Sequence, residues 1–304
     1  MSSALSGVKI AVLGGDDREL ILVAELVTLG ATVTVVGFPR EKIKHGAFVS
    51  KSIEDGLRGA EVAICPLLGT DRNGVIRAIY TEEQLLLTEK ALNGMTKPAL
   101  VIIGSARPFL RDWAAKGEIS LLEIIEMDEI AILNSIPTAE GALQIAMQEL
   151  KTTIHGSRSM VLGFGRVGVT LGRMLRSLGS DVSVVSNQQS ELARAYEMGC
   201  TRVPLELLED RVSSMTVVFN TVPAAVLTGN VLRRMSPDTL IIDLASTPGG
   251  TDFETANEYG IKALLAPGLP GKVAPVMAGG ILAEVIPRLI IEKMFRPEEQ
   301  LLLA

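Results

Sequence analysis

The sequence contains few of the residues that metal sites, disulfide scaffolds and nucleophilic hydrolases require. Its 304 residues include two cysteines, Cys65 and Cys200, and two histidines, His45 and His155. The cysteines form no CxxC pair and have no neighbouring histidine, so we predict reduced thiols and no metal site. Neither histidine belongs to a motif with a serine or cysteine nucleophile, which argues against hydrolase chemistry.

Charge and hydropathy exclude two further classes of partner. The net charge is −6, and the chain lacks the clustered Lys and Arg that neutralise nucleic-acid phosphates. No apolar run approaches the roughly 20 residues of a membrane span, and the first residues do not resemble a signal peptide. We therefore expect a cytoplasmic protein that binds neither nucleic acid nor membrane.

What the sequence does contain is a series of short Val- and Ile-rich runs separated by helical stretches. Continuous apolarity is typical of strands covered on both faces, and therefore of parallel sheets. The predicted strands are Val8–Leu13, Thr32–Val36, Val62–Cys65, Ala99–Ile103, Met160–Leu162, Val182–Val185, Val217–Asn220, Leu240–Asp243 and Ala263–Leu265. We predict an α/β fold with two Rossmann-like, doubly wound parallel-sheet domains joined by long connecting helices.

Two long helical patterns set the predicted domain boundaries. The first connects the domains and carries Pro137 in its first turn. The second has Pro287 in its interior, which could kink or split it, and part of it is expected to pack back on the first domain. The predicted parts are a Rossmann-like or flavodoxin-like substrate domain at 1–133, the connecting helix at 134–156, a dinucleotide-binding Rossmann domain at 157–274, and a C-terminal helix and tail at 275–304.

A glycine-rich run follows the first strand of the second half directly and precedes an apolar helix. Its GxGxxG spacing, in that context, is typical of a loop that holds a dinucleotide pyrophosphate at a helix N-terminus. The predicted cofactor-binding residues of this loop are Gly163, Phe164, Gly165, Arg166, Val167 and Gly168.

The first half provides an internal comparison, because Lys9–Gly14 aligns with Arg158–Gly163 at a fixed offset. Asp16 and Glu19 then stand where the second half has Gly165 and Gly168. Carboxylates would repel a pyrophosphate and crowd its approach. We therefore assign the cofactor to the second domain and the substrate to the first, with the active site in the cleft between the two sheets.

The strand that ends near Val185 is followed by Ser186–Ser190. An NAD-binding domain commonly carries an Asp or Glu at this point, which binds the ribose hydroxyls. Without that carboxylate a 2′-phosphate is not repelled, and Ser186, Asn187 and Arg166 could donate hydrogen bonds to it. NADP is therefore predicted, while the lack of an arginine in this run leaves NAD open. Further loops at strand ends add four expected cofactor-binding residues, Thr221, Val222, Pro223 and Ser246.

Several runs lie outside the generic Rossmann pattern: Asn134–Thr138, Pro248–Phe253 and Leu264–Gly271. Together with Gly14–Asp16 and the glycine loop, they resemble the A subunit of dipicolinate synthase, and the resemblance extends over nearly the whole chain. It implies oxidation of a dihydrodipicolinate from the lysine pathway to dipicolinate, in the mother cell of sporulating bacteria and together with a flavoprotein-like B subunit. It also implies an architecture similar to alanine dehydrogenase and the 2-hydroxyacid dehydrogenases.

On this resemblance the substrate is a small dicarboxylate that transfers hydride to the nicotinamide and loses a proton. Arg18, Arg107, Ser135, Thr138 and Lys272 are the candidate substrate-binding residues, with Ser135 and Thr138 expected at a helix N-terminus. Two carboxylates, Glu140 and Asp252, are the candidate proton acceptors. A homo-oligomer is expected. The alternatives are a 2-hydroxyacid or alanine dehydrogenase-like enzyme, which needs no partner, and a non-catalytic subunit that senses nucleotide.

Overall fold

The structure is a computed structural model that describes residues 4–43 and 46–295. His45 and the tail from Arg296 onward, which is part of the predicted C-terminal segment, lie outside the described residues. The chain divides into two compact units, one formed by Met1–Ile130 with Pro275–Ala304 and the other by Ala131–Ala274. Each unit contains a six-stranded parallel sheet flanked by helices, which confirms the predicted fold class.

The first unit has six parallel strands and a small antiparallel pair. In chain order the strands are β1 (Lys9–Leu13), β2 (Thr32–Val36), β3 (Phe48–Ser50), β4 (Val62–Ile64), the pair β5 (Val75–Ile76) and β6 (Leu85–Leu86), β7 (Ala99–Ile103) and β8 (Ile119–Glu123). The order across the large sheet is β3-β2-β1-β4-β7-β8. Its helices are α1 (Asp17–Thr28), α2 (Ile53–Leu57), α3 (Glu89–Leu92) and α4 (Pro108–Lys116), and a helix α5 (Asp128–Glu149) follows.

The second unit repeats this strand order. Its strands are β9 (Arg158–Leu162), β10 (Asp181–Ser186), β11 (Thr201–Pro204), β12 (Val217–Asn220), β13 (Leu240–Asp243) and β14 (Lys262–Leu265), arranged β11-β10-β9-β12-β13-β14. Its shorter helices are α6 (Arg166–Ser177), α7 (Gln189–Glu197), α8 (Leu208–Arg211), α9 (Gly229–Leu232), α10 (Phe253–Glu258) and α11 (Leu269–Val273). The shared order agrees with the fixed offset between the two halves of the sequence.

Burial on both faces of the second sheet explains why its strands are apolar throughout. Successive strand residues point to opposite faces, and in β12 the side chains of Val217 and Phe219 enter one core cluster while Val218 enters another. The first cluster also contains residues of α5 and α6, and the second contains residues of α8 and α9. These three side chains are fully buried. The sheet is therefore doubly wound.

Helix α5 begins at Asp128, several residues before the predicted start at 134, and ends at Glu149. Pro137 therefore lies inside the helix and not in its first turn. The hydroxyl of Ser135 donates to Ile132 O at 2.6 Å, and that of Thr138 donates to Asn134 O at 2.7 Å. The predicted helix N-terminus at Ser135 and Thr138 is therefore wrong, because both residues lie in a continuous helix.

The last described helix, α12, runs without interruption over Pro275–Phe295, with Pro287 buried inside it. It packs against α1, and the contact is close at Gly279. A Cβ on Gly279 would lie 2.7 Å from the Ile21 side chain and 3.0 Å from Arg18 O. Pro287 neither splits the helix nor ends it.

Candidate functional site: a dinucleotide cavity in the second unit

The glycine loop joins the end of β9 to the start of α6 and is shaped by two close approaches. Gly163 has a φ of 78°, a conformation that glycine adopts without strain. A Cβ on Gly168 would lie 2.2 Å from Gly163 O, so only a glycine lets the helix start this close to the strand. Neither position tolerates a side chain, as the sequence pattern predicts.

Gly165 differs, because the space beside it is open. It is the N-cap residue of α6, and the nearest atom to a Cβ built there is Glu191 Oε1 at 3.9 Å. A glycine N-cap has no side chain with which to satisfy the first N–H groups of a helix. The loop therefore presents an open backbone surface at a helix N-terminus, which is the environment that a pyrophosphate needs.

In the first unit the corresponding loop is closed by carboxylates of the chain itself. Asp16 is the N-cap of α1 and accepts a hydrogen bond from Arg18 N at 3.1 Å, while Glu19 Oε2 accepts one from Asp16 N at 2.7 Å. A Cβ on Gly15 would lie 2.3 Å from Glu19 Oε2. The helix end that is open in the second unit is here filled by a capping box.

A cavity of about 530 Å³ lies along the glycine loop. Nine of the predicted cofactor-binding residues line it: Gly163, Gly165, Arg166, Val167, Ser186, Asn187, Thr221, Val222 and Pro223. Phe164 instead contributes its buried ring to the core, where it closely approaches Gly172. Ser246 is exposed and does not line this cavity. A volume in the range typical of ligand pockets and an open helix end fit a dinucleotide.

The structure adds a residue that the sequence analysis missed. Glu191, in the first turn of α7, lines the same cavity. Its Oε2 accepts hydrogen bonds from Ser186 Oγ at 2.6 Å and from Phe164 N at 2.9 Å. A carboxylate thus does stand at the end of the second strand of the Rossmann unit, although it comes from the helix that follows. The run Ser186–Ser190, on which the NADP prediction rests, itself contains no carboxylate.

A buried carboxylate joins the cavity wall that follows β12 to the loop that follows β13. Asp243, at the end of β13, is fully buried. Its Oδ1 accepts from Asn220 Nδ2 and Ala245 N, and its Oδ2 accepts from Gly250 N and Thr251 Oγ1. Because Asn220 also bonds both backbone groups of Val222, this network fixes the cavity wall at residues 221–223.

The two candidate proton acceptors occupy different settings in the second unit. Asp252 is the N-cap of α10, where its Oδ1 accepts from Thr255 N and its Oδ2 from Thr255 Oγ1. These hydrogen bonds hold the pKa of Asp252 below its ordinary value. Glu140 is an exposed residue of α5.

The candidate substrate-binding residues are distributed over both units. In the first, Arg18 is nearly buried, and its Nε and Nη2 each lie 2.8 Å from a carboxylate oxygen of Asp16. Arg107 is exposed, and its Nε donates to Thr70 O at 3.3 Å. In the second unit, Ser135 is buried and lies 2.6 Å from Thr170 Oγ1, whereas Lys272 is exposed on α11.

Parts of both units match the models of known protein families. Residues 9–125 match the family model of the N-terminal domain of the dipicolinate synthase A subunit. Residues 137–247 match that of the NAD binding domain of D-isomer specific 2-hydroxyacid dehydrogenases. The A subunit of dipicolinate synthase from Bacillus subtilis (strain 168) is 40% identical over 291 residues, which cover 95% of this chain and 97% of the relative. The chain belongs to the family of dipicolinate synthase A subunits.

Solved structures agree with this family. The crystal structure of the dipicolinate synthase A subunit from Bacillus halodurans is 39% identical, with a TM-score of 0.90 over 94% of this chain and 98% of that one. An L-alanine dehydrogenase and the D-lactate dehydrogenase of Escherichia coli share the fold, each with a TM-score of 0.62 at 16% and 14% identity. The similarity to the L-alanine dehydrogenase covers 94% of this chain and 89% of that chain. The similarity to the D-lactate dehydrogenase covers 94% of this chain and 97% of that chain.

The family and the dehydrogenase-type domain together identify a nicotinamide-dependent oxidoreductase. The relatives carry the name of a subunit, so an enzyme of this family has a partner subunit. None of the helices within residues 4–43 and 46–295 has the length and hydropathy of a membrane span. The same residues contain no group of three His, Cys, Asp or Glu side chains placed to hold a metal ion.

Proposed function

We propose that this chain is the dehydrogenase subunit of a dipicolinate synthase, which oxidises dihydrodipicolinate to dipicolinate together with a flavoprotein-like B subunit. The observation that carries the proposal is the open glycine loop and its cavity, in a chain 40% identical over 95% of its length to a dipicolinate synthase A subunit. The setting that we propose is the cytoplasm of the mother cell during sporulation, with the chain in a homo-oligomer.

The reaction removes one hydride and one proton from the dihydropyridine ring and leaves an aromatic pyridine. When bound, the oxidised nicotinamide supplies the hydride acceptor. The chain has to hold the cofactor, position the dicarboxylate and accept the proton. Glycine-loop N–H groups and the α6 N-terminus serve the first task, and Glu140 or Asp252 serves the last.

For the dicarboxylate, Arg107 is the stronger of the two candidate arginines of the first unit. Within the described chain only its Nε has a hydrogen-bond partner, so the rest of the guanidinium fork can bind a carboxylate in a bidentate manner. Arg18 is a weaker candidate, because Asp16 already engages two of its nitrogens. Lys272, Ser135 and Thr138 complete the proposed set.

NADP is the cofactor that the sequence predicts, with NAD as the alternative. Two observations bear on the choice in opposite directions. Asn187 lines the cavity beside the N-terminus of α7, and an amide there can donate to a 2′-phosphate. Glu191 presents a carboxylate to the same cavity. Titration of the protein with each nucleotide decides between them.

Reconstitution tests the proposed reaction. The purified chain is mixed with the B subunit, NADP or NAD, and freshly prepared dihydrodipicolinate. We expect reduced nucleotide to accumulate together with dipicolinate, faster than dipicolinate forms in the mixture without this chain. If neither product exceeds the spontaneous oxidation, the proposed hydride transfer is wrong.

A 2-hydroxyacid dehydrogenase is the second candidate function, and the match of residues 137–247 to that family's NAD binding domain favours it. Such an enzyme would reduce pyruvate-like acids and would need no partner. A screen of 2-oxo acids with reduced nucleotide separates the two functions, because a dipicolinate synthase subunit is expected to turn over none of them.

A further inference from the structure

The carboxylate of Glu191 occupies the adenosine end of the dinucleotide cavity. It lies between the glycine loop and the end of β10, since one of its oxygens accepts from both Phe164 N and Ser186 Oγ. In Rossmann domains the adenosine ribose lies at the end of this second strand. Glu191 therefore lies where the 2′- and 3′-positions of a ribose would be.

The neighbouring hydroxyl of Ser186 is already engaged. The only proton of the Ser186 hydroxyl is donated to Glu191, and the Ser186 oxygen accepts from Gln188 N at 2.9 Å. A 2′-phosphate carries about −1.5 to −2 charges at pH 7 and offers acceptor oxygens, so Ser186 can serve it only by giving up Glu191. A ribose hydroxyl, in contrast, can donate to the carboxylate as it stands.

We infer that Glu191 is a specificity-determining residue whose carboxylate lowers the affinity for 2′-phosphorylated dinucleotides relative to unphosphorylated ones. The inference rests on the proposed binding of a nicotinamide dinucleotide in this cavity. The physical cause is repulsion between two anions in a partly buried site, where charge interactions are stronger than in bulk water. The effect acts on the ratio of the two affinities, whichever nucleotide binds more tightly.

Glu191→Gln tests this inference, because glutamine keeps an oxygen that can accept from Phe164 N while it removes the charge. Dissociation constants for NAD and NADP are measured by calorimetry, together with those for AMP and its 2′-phosphorylated form. We expect the NADP affinity to rise relative to that of NAD by about tenfold, which corresponds to about 1.4 kcal/mol. The two fragments, which lack the nicotinamide, should show the same shift.

Two further variants control for position and for side-chain shape. Glu197→Gln makes the same change of charge at the exposed end of the same helix. The ratio of its NADP affinity to its NAD affinity should equal that of the unsubstituted protein. Glu191→Asp keeps the charge, so its ratio should stay within about twofold of the unsubstituted protein. If Glu191→Asp shows the same ratio of NADP to NAD affinity as Glu191→Gln, the electrostatic explanation is overturned.

The outcomes separate this inference from the function on which it rests. If the unsubstituted protein binds neither nucleotide, both are wrong. If it binds one or both, and Glu191→Gln leaves the ratio unchanged, shifts it towards NAD or binds neither nucleotide, the inference alone is overturned.

Discussion

Asn220 Nδ2 donates a 3.0 Å hydrogen bond to Asp243 Oδ1, and both residues are fully buried at the carboxyl ends of adjacent strands. The bond joins two loops that belong to different parts of the sequence. One is the cavity wall at residues 221–223, and the other is the glycine-rich run that follows β13. Because Asp243 accepts four hydrogen bonds in all, it connects the stability of the fold with the shape of the cofactor site.

Asp243→Asn should therefore destabilise the protein and weaken nucleotide binding together. Each oxygen of Asp243 accepts two hydrogen bonds, whereas asparagine has only one side-chain oxygen. In either orientation its amide nitrogen would face donors, at least one of them a backbone N–H, that then have no acceptor. We expect a loss of about 2–4 kcal/mol in the free energy of unfolding, measured by urea denaturation. Asp238→Asn, at an exposed position, is the matched control and should lie within about 0.5 kcal/mol of the unsubstituted protein.

The glycine loop predicts different effects on stability for two neighbouring substitutions. Gly165→Ala places a methyl group in open space, so the thermal midpoint should change little, while the affinity for nucleotide should fall at least about tenfold because the backbone can no longer approach the pyrophosphate. Gly168→Ala brings a Cβ within 2.2 Å of Gly163 O and should lower the thermal midpoint as well. Gly280→Ala, with no atom near its Cβ, is the control. Equal affinities in Gly165→Ala and the unsubstituted protein would place the nucleotide elsewhere.

Glu19 predicts a pH dependence of stability in the first unit. Burial raises the pKa of Glu19 to about 7 from its ordinary value of 4.5, so the folded state holds its proton more tightly than the unfolded state does. The stabilisation that this proton gives is complete below about pH 4.5 and is lost as the pH rises through about 7. Its largest value is about 3 kcal/mol.

Glu19→Gln removes this titration and retains the capping-box geometry, because glutamine also serves at that position. The free energy of unfolding of the unsubstituted protein, minus that of the variant, should decrease as the pH is raised from 5 to 8. Glu54→Gln, at an exposed position, should show no such trend. A difference that stays constant with pH, or that grows, would contradict the raised pKa.

Substitution of Arg107 should affect substrate binding, whereas substitution of Arg18 should affect stability. Arg107→Ala removes an exposed guanidinium, so we expect a KM for the dicarboxylate raised about tenfold or more with an unchanged thermal midpoint. Arg18→Ala removes one partner of a nearly buried ion pair and leaves Asp16 uncompensated, which should cost about 3 kcal/mol or more of stability. Arg72→Ala, another exposed arginine of the first unit, is the control for Arg107. If Arg107→Ala leaves the KM for the dicarboxylate unaltered, Arg107 does not bind the substrate.

The sequence predicted the central strands of both sheets and the glycine loop because these depend on local patterns. Strands β7 and β12 have the predicted limits, since both are buried on two faces and are apolar throughout. The edge strand β3 was missed because its residues Phe48 and Val49 are 61% and 38% exposed, so its composition carries no signal of burial. A strand that is held in place by its tertiary contacts, and not by an apolar composition, cannot be predicted from short-range sequence patterns.

One wrong prediction and one omission at the site have the same origin. Pro137 suggested a helix start, yet α5 continues through it, and no local pattern distinguishes the two cases. Glu191 lies five positions beyond the strand end, and only the fold brings its carboxylate to Ser186 and Phe164. An acidic residue in the first turn of the helix after the second strand is the signal that could have found it.

Isotope transfer tests the central claim most directly. Dihydrodipicolinate that carries deuterium at its saturated ring carbons is oxidised by the chain together with the B subunit in the presence of oxidised nucleotide, and the nucleotide is then analysed by mass spectrometry. Hydride transfer within this chain predicts one deuterium in each reduced nucleotide and one reduced nucleotide for each dipicolinate formed. Dipicolinate formed by the complex while the nucleotide stays oxidised or unlabelled would contradict the account.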